Sequence, residues 1–536
     1  MERVVRFARL AATAACGCVW RARWWIVASV ALCAIDVSIR HKVFNTCVWR
    51  DMWLCAFYSA AAIAPAFLLG RFTRFVAPVI FGYWTFAEAL QLWVAVNFHM
   101  VLGGNWILMA FSTSGGEVAE FVQGLLTLGN IAYIALAVAC VAAVAWFFAW
   151  RRPCPALSLA SACLAAACVL FSARLATCLF HAPVSWAQIS RGLLALNLPA
   201  DTIPNWRAYR TLARACRETP SYGLSIDGKP RLCVFVIGES MTRNHMGLYG
   251  YPRRTTPELE SIRAEGGLTA FADLTTTHPS TPEALCSLLT GCELGTAQKF
   301  PAVFPAMLKK AGYRTMLISC QGHWQNRDVV GAHLFLSCDS REFLQGGGVA
   351  GTLPDGVALP EVEKAIRENQ APLALFVHLY GCHNPASKRV PPDFRREWPC
   401  PANGRLPTKQ QCKIDSYDTA VAYGDHIVAS IVRLAKASGV PACVVFLSDH
   451  GESPSSAIWR DAKSRDTYEV PLLVWLSPEY RAAFPGTSAR VVAARERRLR
   501  MDRLLEGMLE LSGVNGYRQR DSADNFLSPQ FSEDAR

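Results

Sequence analysis

The sequence predicts an α-helical membrane part followed by an α/β part with a largely parallel central sheet. The 536 residues are 52% hydrophobic, and the apolar residues concentrate before about residue 180, which indicates membrane spans. From Arg231 onward, short apolar runs rich in β-branched residues alternate with helical patterns. This alternation is typical of buried parallel strands joined by helices. Residues 1–180 are therefore assigned to the membrane and residues 230–515 to the α/β domain.

Five apolar spans are expected in the membrane part, at about 24–39, 52–70, 75–98, 128–150 and 156–179. The N-terminus, the turn with Arg71 and Arg74 and the turn with Arg151 and Arg152 are all basic. The positive-inside rule puts these three regions in the cytoplasm, so five spans leave the α/β domain outside.

The formal charge of +12 does not indicate a nucleic-acid partner. The basic residues form short clusters between apolar spans rather than a patch interleaved with aromatic side chains, so they are interpreted as topology signals and contacts with anionic lipid.

A linker and a tail complete the predicted organisation. Within the linker at 181–229, the stretch 199–222 mixes aromatic residues with arginines and predicts a basic amphipathic helix on the membrane surface. The residues after about 513 are polar and are expected to be poorly ordered, and 516–536 are assigned as a tail.

Individual elements of the α/β domain follow from the local patterns. Strands are expected at 232–237, 315–319, 373–379, 442–447 and 470–475. Helices are expected at 303–311, 360–368 and 417–437. In such a sheet, ligand sites lie beyond the carboxyl ends of the strands.

Seven cysteines between residues 280 and 420 lack the CxxC spacing of zinc ribbons, so disulfides in an oxidising compartment are expected. Cys400 and Cys412 flank a loop that suits a local bridge. The seven cysteines concerned are Cys286, Cys292, Cys320, Cys338, Cys382, Cys400 and Cys412.

Acidic and histidine residues lie at or just beyond the carboxyl ends of three predicted strands. Glu239 follows the first, Asp449 and His450 follow the fourth, and His378 and His383 lie at or beyond the end of the third. Each alone could be a cap, a turn residue or a hydrogen-bonded scaffold residue. Together they predict an oxygen and nitrogen site suited to Zn²⁺ or a similar divalent ion.

The stretch 279–291 carries the candidate nucleophile, Thr281. It reads as a loop hydroxyl at the start of a helix, where unpaired backbone N–H groups and the helix dipole favour an anion such as phosphate. A simple helix cap is the alternative interpretation of this hydroxyl.

These motifs, taken in order, resemble the alkaline phosphatase/sulfatase superfamily. They are Gly-Glu-Ser at 238–240, Thr-Pro-Glu-Ala-Leu-x-x-Leu-Leu-Thr-Gly at 281–291, His-x-x-x-x-His-x-Pro at 378–385 and Ser-Asp-His-Gly-Glu at 448–452. Within this superfamily, the chain resembles the phosphoethanolamine transferases in three features. These are five spans before an external domain, Arg243, and the motif Leu-Tyr-Gly-Tyr-Pro at 248–252.

The resemblance implies a zinc ion held by Glu239, Thr281, Asp449 and His450, with Thr281 as the nucleophile. Thr281 is preferred to Thr277 because of its spacing from the Leu-Leu-Thr-Gly motif.

The resemblance also assigns substrate contacts. His383 corresponds to a histidine that contacts the transferred phosphate, His378 to a more variable position, and Thr113 and Glu117 to donor head-group contacts. Relatives that act on lipid A usually carry another histidine where this chain has Asp461 and Ala462. One zinc ion is therefore expected, and a second stays open.

The implied function is transfer of phosphoethanolamine from phosphatidylethanolamine to lipopolysaccharide core, lipid A or a periplasmic glucan. The resemblance places such a protein in the bacterial inner membrane as a multi-pass monomer, with its catalytic domain in the periplasm. Three alternatives are a phosphoglycerol transferase, a sulfatase or phosphodiesterase, and a non-enzymatic membrane sensor or scaffold. Against a sulfatase, position 281 lacks the Cys or Ser that is converted to formylglycine.

Overall fold

The computed structural model describes most of the chain from residue 232 onward and part of the chain before it. The described residues are 128–149, 222–226, 232–292, 303–322, 334–345, 353–369, 371–394, 408–456, 464–517 and 522–533, with single residues in 78–93 and residues 214, 219 and 398. The chain divides into two compact units, Met1–Met109 with Leu125–Pro204, and Ala110–Gly124 with Asn205–Arg536.

In the first unit, helix α1 (Leu128–Ala149) coincides with the predicted fourth span. This helix is long and apolar enough to cross a membrane, and the described residues contain one such helix. The Trp93 indole N–H donates to the Asn130 side chain at 3.2 Å, and the Tyr133 hydroxyl donates to the Ala89 carbonyl at 2.7 Å. These bonds join α1 to helical residues of the predicted third span. The other three predicted spans, and most of the predicted surface helix at 199–222, lie outside the described residues.

The second unit is built on a mixed seven-stranded sheet. Its strands are β2 Leu232–Gly238, β3 Leu268–Ala270, β5 Arg314–Gly322, β6 Ser340–Gln345, β7 Leu373–His378, β8 Ala442–Ser448 and β10 Leu472–Leu476. The strand order is β3-β10-β8-β2-β7-β5-β6. The strands β8, β2, β7, β5 and β6 pair in parallel, whereas β10 runs antiparallel to both of its neighbours.

Two small sheets accompany the large one, and the sequence patterns did not predict them. In the first, β4 (Asp273–Thr275) pairs with β9 (Glu469–Val470) and β11 (Arg498–Arg500). In the second, β1 (Ser225–Ile226) pairs with β12 (Val514–Asn515). The single strand predicted at 470–475 is thus divided into β9 and β10, and Pro471 lies at the break, where a residue without an N–H cannot donate to a ladder.

The helices of the second unit are α2 Pro257–Glu265, α3 Thr281–Thr290, α4 Phe304–Lys310, α5 Ala358–Glu368, α6 Lys409–Ala437, α7 Pro478–Ala483, α8 Pro485–Ala493 and α9 Leu505–Leu511. Helices cover both faces of the sheet, so the central strands are buried along their whole length. Val234 and Val236 of β2 join the cluster of apolar side chains that includes α6, whereas Phe235 packs edge-on against Phe304 of α4.

The described end of the chain is packed, so the expectation of a poorly ordered tail is wrong for residues 522–533. Phe526 and Leu527 are 1% exposed, and Phe526 packs edge-on against Phe271 at 5.6 Å between ring centroids. Arg497 donates to the carbonyls of Phe526 and Ser528. The segment is polar in composition, but two apolar side chains and backbone carbonyls that accept from arginines fix it to the domain.

Replacing Phe526 with alanine should lower the free energy of unfolding by about 3–5 kcal/mol, because a fully buried aromatic ring leaves a cavity. Phe531→Ala is the matched control, since this ring is only partly buried and lies 5.5 Å from the Arg497 guanidinium, a contact worth about 1 kcal/mol. Denaturant unfolding of both variants measures the difference. Equal losses would contradict the buried role of Phe526.

The structure also corrects the disulfide prediction for three cysteines. Cys320, Cys338 and Cys382 are buried thiols. Burial raises the pKa of the Cys338 thiol to about 12, and burial together with the nearby Asp355 carboxylate raises the pKa values of Cys320 and Cys382. These side chains therefore serve as small apolar core residues. Cys400 lies outside the described residues, so its predicted bridge to Cys412 stays a prediction.

Candidate metal centre

Parallel pairing of two central strands brings the acidic residues together. In the register of β2 and β8, Gly238 lies opposite Ser448, so the residues that follow, Glu239 and Asp449, leave the sheet at the same level. The Asp449 N–H donates to the Gly238 carbonyl at 3.1 Å, which extends the pairing by one step. The two carboxylates therefore meet at the carboxyl edge of the sheet, as ligands do in open α/β sheets.

The cluster consists of Glu239, Asp449 and His450, whose ligand atoms all lie within 4.8 Å of one another. Glu239 is 2% exposed, and the other two side chains are fully buried. The Thr281 hydroxyl donates to Glu239 Oε2 at 2.9 Å. The structure thus brings all four sequence-predicted metal ligands to one place.

The hydrogen bonding of His450 tests whether these residues fit a cation. Its Nδ1 lies 2.9 Å from the Gly451 carbonyl oxygen, which can only accept, so Nδ1 carries the hydrogen. In the neutral ring, Nε2 then presents a lone pair, 3.1 Å from Glu239 Oε1 and 3.6 Å from Asp449 Oδ2. Three electron-rich atoms face one another in a buried space. A divalent ion satisfies this arrangement, and the oxygen and nitrogen donors suit Zn²⁺.

The electrostatics of Asp449 agree with this interpretation. Burial and then the neighbouring Glu239 carboxylate raise the pKa of Asp449 well above its usual range, although His450 opposes the shift. The protein therefore holds two carboxylates together at a cost that a bound cation would offset.

Ser240 shapes the backbone next to the cluster. It has φ +60°, a left-handed conformation that is uncommon for a residue with a side chain. Its N–H donates to Asp449 Oδ1 at 3.2 Å, and its hydroxyl donates to Glu239 Oε1 at 2.8 Å. The Tyr417 hydroxyl, from α6, donates to the Ser240 carbonyl at 2.7 Å and accepts from the Thr242 N–H at 2.9 Å. Strained backbone held on several sides is typical of functional sites.

Thr281 is the first residue of α3, as the sequence predicts, and Ser280 is its N-cap residue with extended backbone. The alternative nucleophile, Thr277, faces elsewhere, because its hydroxyl donates to Ser287 Oγ at 2.8 Å. Of the two threonines, Thr281 is the one in contact with the carboxylate cluster.

The two candidate substrate histidines flank a loop that packs on Glu239. His378 ends β7, and burial lowers its pKa to about 4, so it is neutral at ordinary pH. His383 lies beyond the turn at Gly381, where the Arg389 guanidinium donates to the His383 carbonyl at 2.9 Å. Thr113 and Glu117 lie outside the described residues.

Two further residues support the site, and the sequence patterns did not single them out. Asp355 is 3% exposed and accepts from the N–H groups of Tyr380 at 2.7 Å and Gly381 at 2.8 Å. Burial raises the pKa of Asp355, while these two hydrogen bonds oppose the rise. The Gln321 carboxamide donates to Glu239 Oε2 at 3.3 Å. Neither residue belongs to a local motif, so only the fold reveals its position.

Gly381→Ala should disrupt the centre. Gly381 has φ +53°, and an added Cβ would lie 2.5 Å from the Glu239 carbonyl oxygen and 2.8 Å from its nitrogen. Because both atoms belong to the backbone, Glu239 or the loop must move, and we expect at least a roughly tenfold loss of zinc affinity.

The matched control is Gly439→Ala. Gly439 has φ +65°, but an added Cβ would meet nothing within 4 Å, so this variant incurs the backbone strain alone, about 1–2 kcal/mol. Zinc titration and thermal unfolding of both variants separate the two effects. Equal zinc affinities would show that Gly381 does not position Glu239.

Comparison with known proteins places this architecture among characterised folds. The Sulfatase family model matches residues 231–514, more than half of the chain. Phosphoethanolamine transferase EptC of Escherichia coli K12 is 26% identical over 518 residues, covering 89% of this chain and 87% of the relative. Phosphoethanolamine transferase CptA of Salmonella typhimurium LT2 is 27% identical over 519 residues, with the same two coverages.

Two solved structures are also similar. The C-terminal periplasmic domain of Escherichia coli EptC in complex with Zn is 29% identical, with a TM-score of 0.52, covering 58% of this chain and 90% of that one. The integral membrane lipooligosaccharide phosphoethanolamine transferase A of Neisseria meningitidis has a TM-score of 0.65 over 95% of this chain and 97% of that one. At 16% identity, the second likeness shows the fold alone.

Proposed function

This chain belongs to the sulfatase family, and we propose that it transfers phosphoethanolamine from phosphatidylethanolamine to a cell-envelope acceptor, with Thr281 as the nucleophile. The observation that carries the proposal is the Thr281 hydroxyl, which donates at 2.9 Å to a buried cluster of two carboxylates and one imidazole. Relatives that share about a quarter of the sequence along nearly the whole chain are named phosphoethanolamine transferases, which supports the choice of transferred group.

Glu239, Asp449, His450 and Thr281 are the residues that would hold one zinc ion. When bound, zinc supplies a Lewis acid that lowers the pKa of the Thr281 hydroxyl and screens the charge of an anionic phosphodiester. The orientation of the remaining groups comes from the protein. Ser240 and the N–H of His450, which donates to Asp449 Oδ1 at 2.7 Å, hold the two carboxylates in place.

The reaction is a double displacement, which allows one site to exchange a lipid donor for a second substrate. Thr281 Oγ1 gives up its proton and bonds to the phosphorus of the donor, while the bond from phosphorus to the diacylglycerol oxygen breaks and that oxygen gains a proton. An acceptor oxygen then bonds to the same phosphorus and gives up its proton, while the bond from phosphorus to Thr281 Oγ1 breaks and Oγ1 regains a proton. We assign contacts with the phosphoryl oxygens to the N-terminus of α3, which begins at Thr281, and to His383.

A membrane location accounts for the choice of donor. Phosphatidylethanolamine is a bilayer lipid, and α1 has the length and composition of a membrane span. We extend this to five spans in the inner membrane, with the second unit in the periplasm. The proposed acceptor is lipopolysaccharide core, lipid A or a periplasmic glucan. The absence of a histidine at positions 461 and 462 favours a saccharide acceptor over lipid A.

Intact-protein mass spectrometry tests the donor. Purified full-length protein is incubated with vesicles that contain phosphatidylethanolamine or phosphatidylglycerol, each labelled in the head group. We expect the ethanolamine label alone to appear on the protein, and peptide mapping to place it on Thr281. Labelling by the glycerol head group would instead identify a phosphoglycerol transferase, and labelling of another residue would refute the assignment of Thr281.

A further inference from the structure

We propose that Gln321 is a positioning residue that fixes the rotation of the Glu239 carboxylate, so that Oε1 faces Ser240 and His450 and Oε2 faces Thr281. The inference rests on the proposed function, because it concerns the efficiency of the Thr281 hydroxyl as nucleophile. The two carboxylate oxygens of Glu239 have different partners. Oε1 accepts from Ser240 and lies 3.1 Å from His450 Nε2, whereas Oε2 accepts from the Thr281 hydroxyl and from Gln321.

The amide of Gln321 is anchored at both of its hydrogens. Its Nε2 donates to the Leu379 carbonyl at 3.1 Å and to Glu239 Oε2 at 3.3 Å. Because both partners can only accept, the NH₂ group and not the carbonyl must face them, which settles the orientation of the amide. Leu379 is itself tied to β2, since its N–H donates to the Ile237 carbonyl at 2.9 Å. The Gln321 NH₂ group that donates to Glu239 is therefore fixed relative to the sheet.

An irregularity in β5 brings Gln321 to this position. Ser319 pairs in register with His378 of β7, but the register of β5 against β6 shifts between Ser319 and Gly322. A bulge of this kind changes the direction of a side chain and often lies beside an active site. The Gln321 N–H donates to Ser319 Oγ at 3.2 Å within this irregular stretch.

Fixing the carboxylate matters because the terminal torsion of a glutamate is broad, with little intrinsic preference between orientations. The Ser240 hydroxyl restrains Oε1 by donating to it, and Thr281 must itself move toward phosphorus during the reaction. Among the described contacts of Oε2, Gln321 is therefore the one that stays in place when the threonine moves. Loss of its N–H should leave the metal side intact and slow the nucleophilic step.

The test compares Gln321→Met with Gln411→Met in the full-length protein. Gln411 is a matched control, because its Nε2 also donates to a carboxylate, Asp415 Oδ1 at 2.9 Å, on α6. We expect Gln321→Met to form the Thr281 adduct roughly tenfold or more slowly in a single turnover, with unchanged zinc stoichiometry and KM for the donor. Gln411→Met should match the wild type. Equal single-turnover rates in the two variants would overturn the proposal.

Crystal structures of the wild type and of Gln321→Met give a second readout that does not depend on activity. We expect one orientation of the Glu239 carboxylate in the wild type and more than one in the variant. A single, unchanged orientation in the variant would overturn the positioning role. If the wild type shows no label on Thr281, the proposed function fails, and the crystal structures still decide the role of Gln321. Gln321→Glu, which places an acceptor where the donor was, should slow the adduct more than Gln321→Met does.

Discussion

Thr281→Ala should abolish the covalent adduct and lower transfer by roughly 10³-fold or more, because the variant lacks the only atom that bonds to phosphorus in the proposed first step. The effect on the stability of the metal-free protein should be small. Thr281 is partly exposed at the first position of α3, and its hydroxyl donates to Glu239 at 2.9 Å and also interacts with the Asp449 carboxyl. The free energy of unfolding should therefore change by no more than about 1 kcal/mol. Transfer from labelled phosphatidylethanolamine and denaturant unfolding measure the two quantities.

Thr277→Ala is the matched control, since it removes a hydroxyl of the same type from the same loop. The Thr277 hydroxyl donates to Ser287 on α3, so its loss should affect stability slightly and transfer by less than about tenfold. If Thr277→Ala abolishes the adduct and Thr281→Ala does not, the nucleophile has been assigned to the wrong threonine. Retention of the adduct in both variants would exclude a threonine mechanism at this loop.

The metal cluster could be predicted from sequence because each of its residues lies next to a recognisable element. Glu239 and Asp449 directly follow strands whose apolar character is plain, and parallel strands place their ends at one edge. Thr281 begins a helix with proline at its second position. For Glu239, Asp449 and His450, local pattern and a general rule of sheet geometry indicate one shared site, whereas the assignment of Thr281 as ligand and nucleophile depends on the family resemblance.

The supporting residues could not be predicted in this way. Gln321 reaches Glu239 only because β5 is irregular after Ser319, and Asp355 acts through two backbone N–H groups of a distant loop. Such contacts depend on register and on loop conformation, which leave no periodic signal in the sequence. The end of the chain shows the same limit, because Phe526 is one apolar ring in a polar stretch and its partner, Phe271, is far away in sequence.

Asp449→Asn should have opposite effects on stability with and without zinc. In the metal-free protein, Asp449 is a fully buried carboxylate beside Glu239, and both burial and that neighbour disfavour its charge. Asparagine keeps an oxygen to accept from the N–H groups of Ser240 and His450, and it offers an NH₂ group where Oδ2 faces His450 Nε2 at 3.6 Å. We therefore expect the metal-free variant to be more stable than the metal-free wild type by about 1–2 kcal/mol.

Zinc reverses the order, because it binds the wild type through an anionic oxygen that the variant lacks. A ligand present at 100 times its Kd stabilises a protein by about 2.7 kcal/mol, and the variant should lose at least roughly a hundredfold in affinity and so most of this gain. Thermal unfolding at several zinc concentrations measures both the stability of the metal-free protein and the stabilisation by zinc. Asp415→Asn is the control, because it neutralises a carboxylate of α6 that pairs with Arg253. It should shift the unfolding curves without and with zinc by the same amount. A misfolded variant would be less stable than the wild type both with and without zinc. If Asp449 is a zinc ligand whose buried charge destabilises the metal-free fold, the variant is more stable than the wild type without zinc and less stable with it.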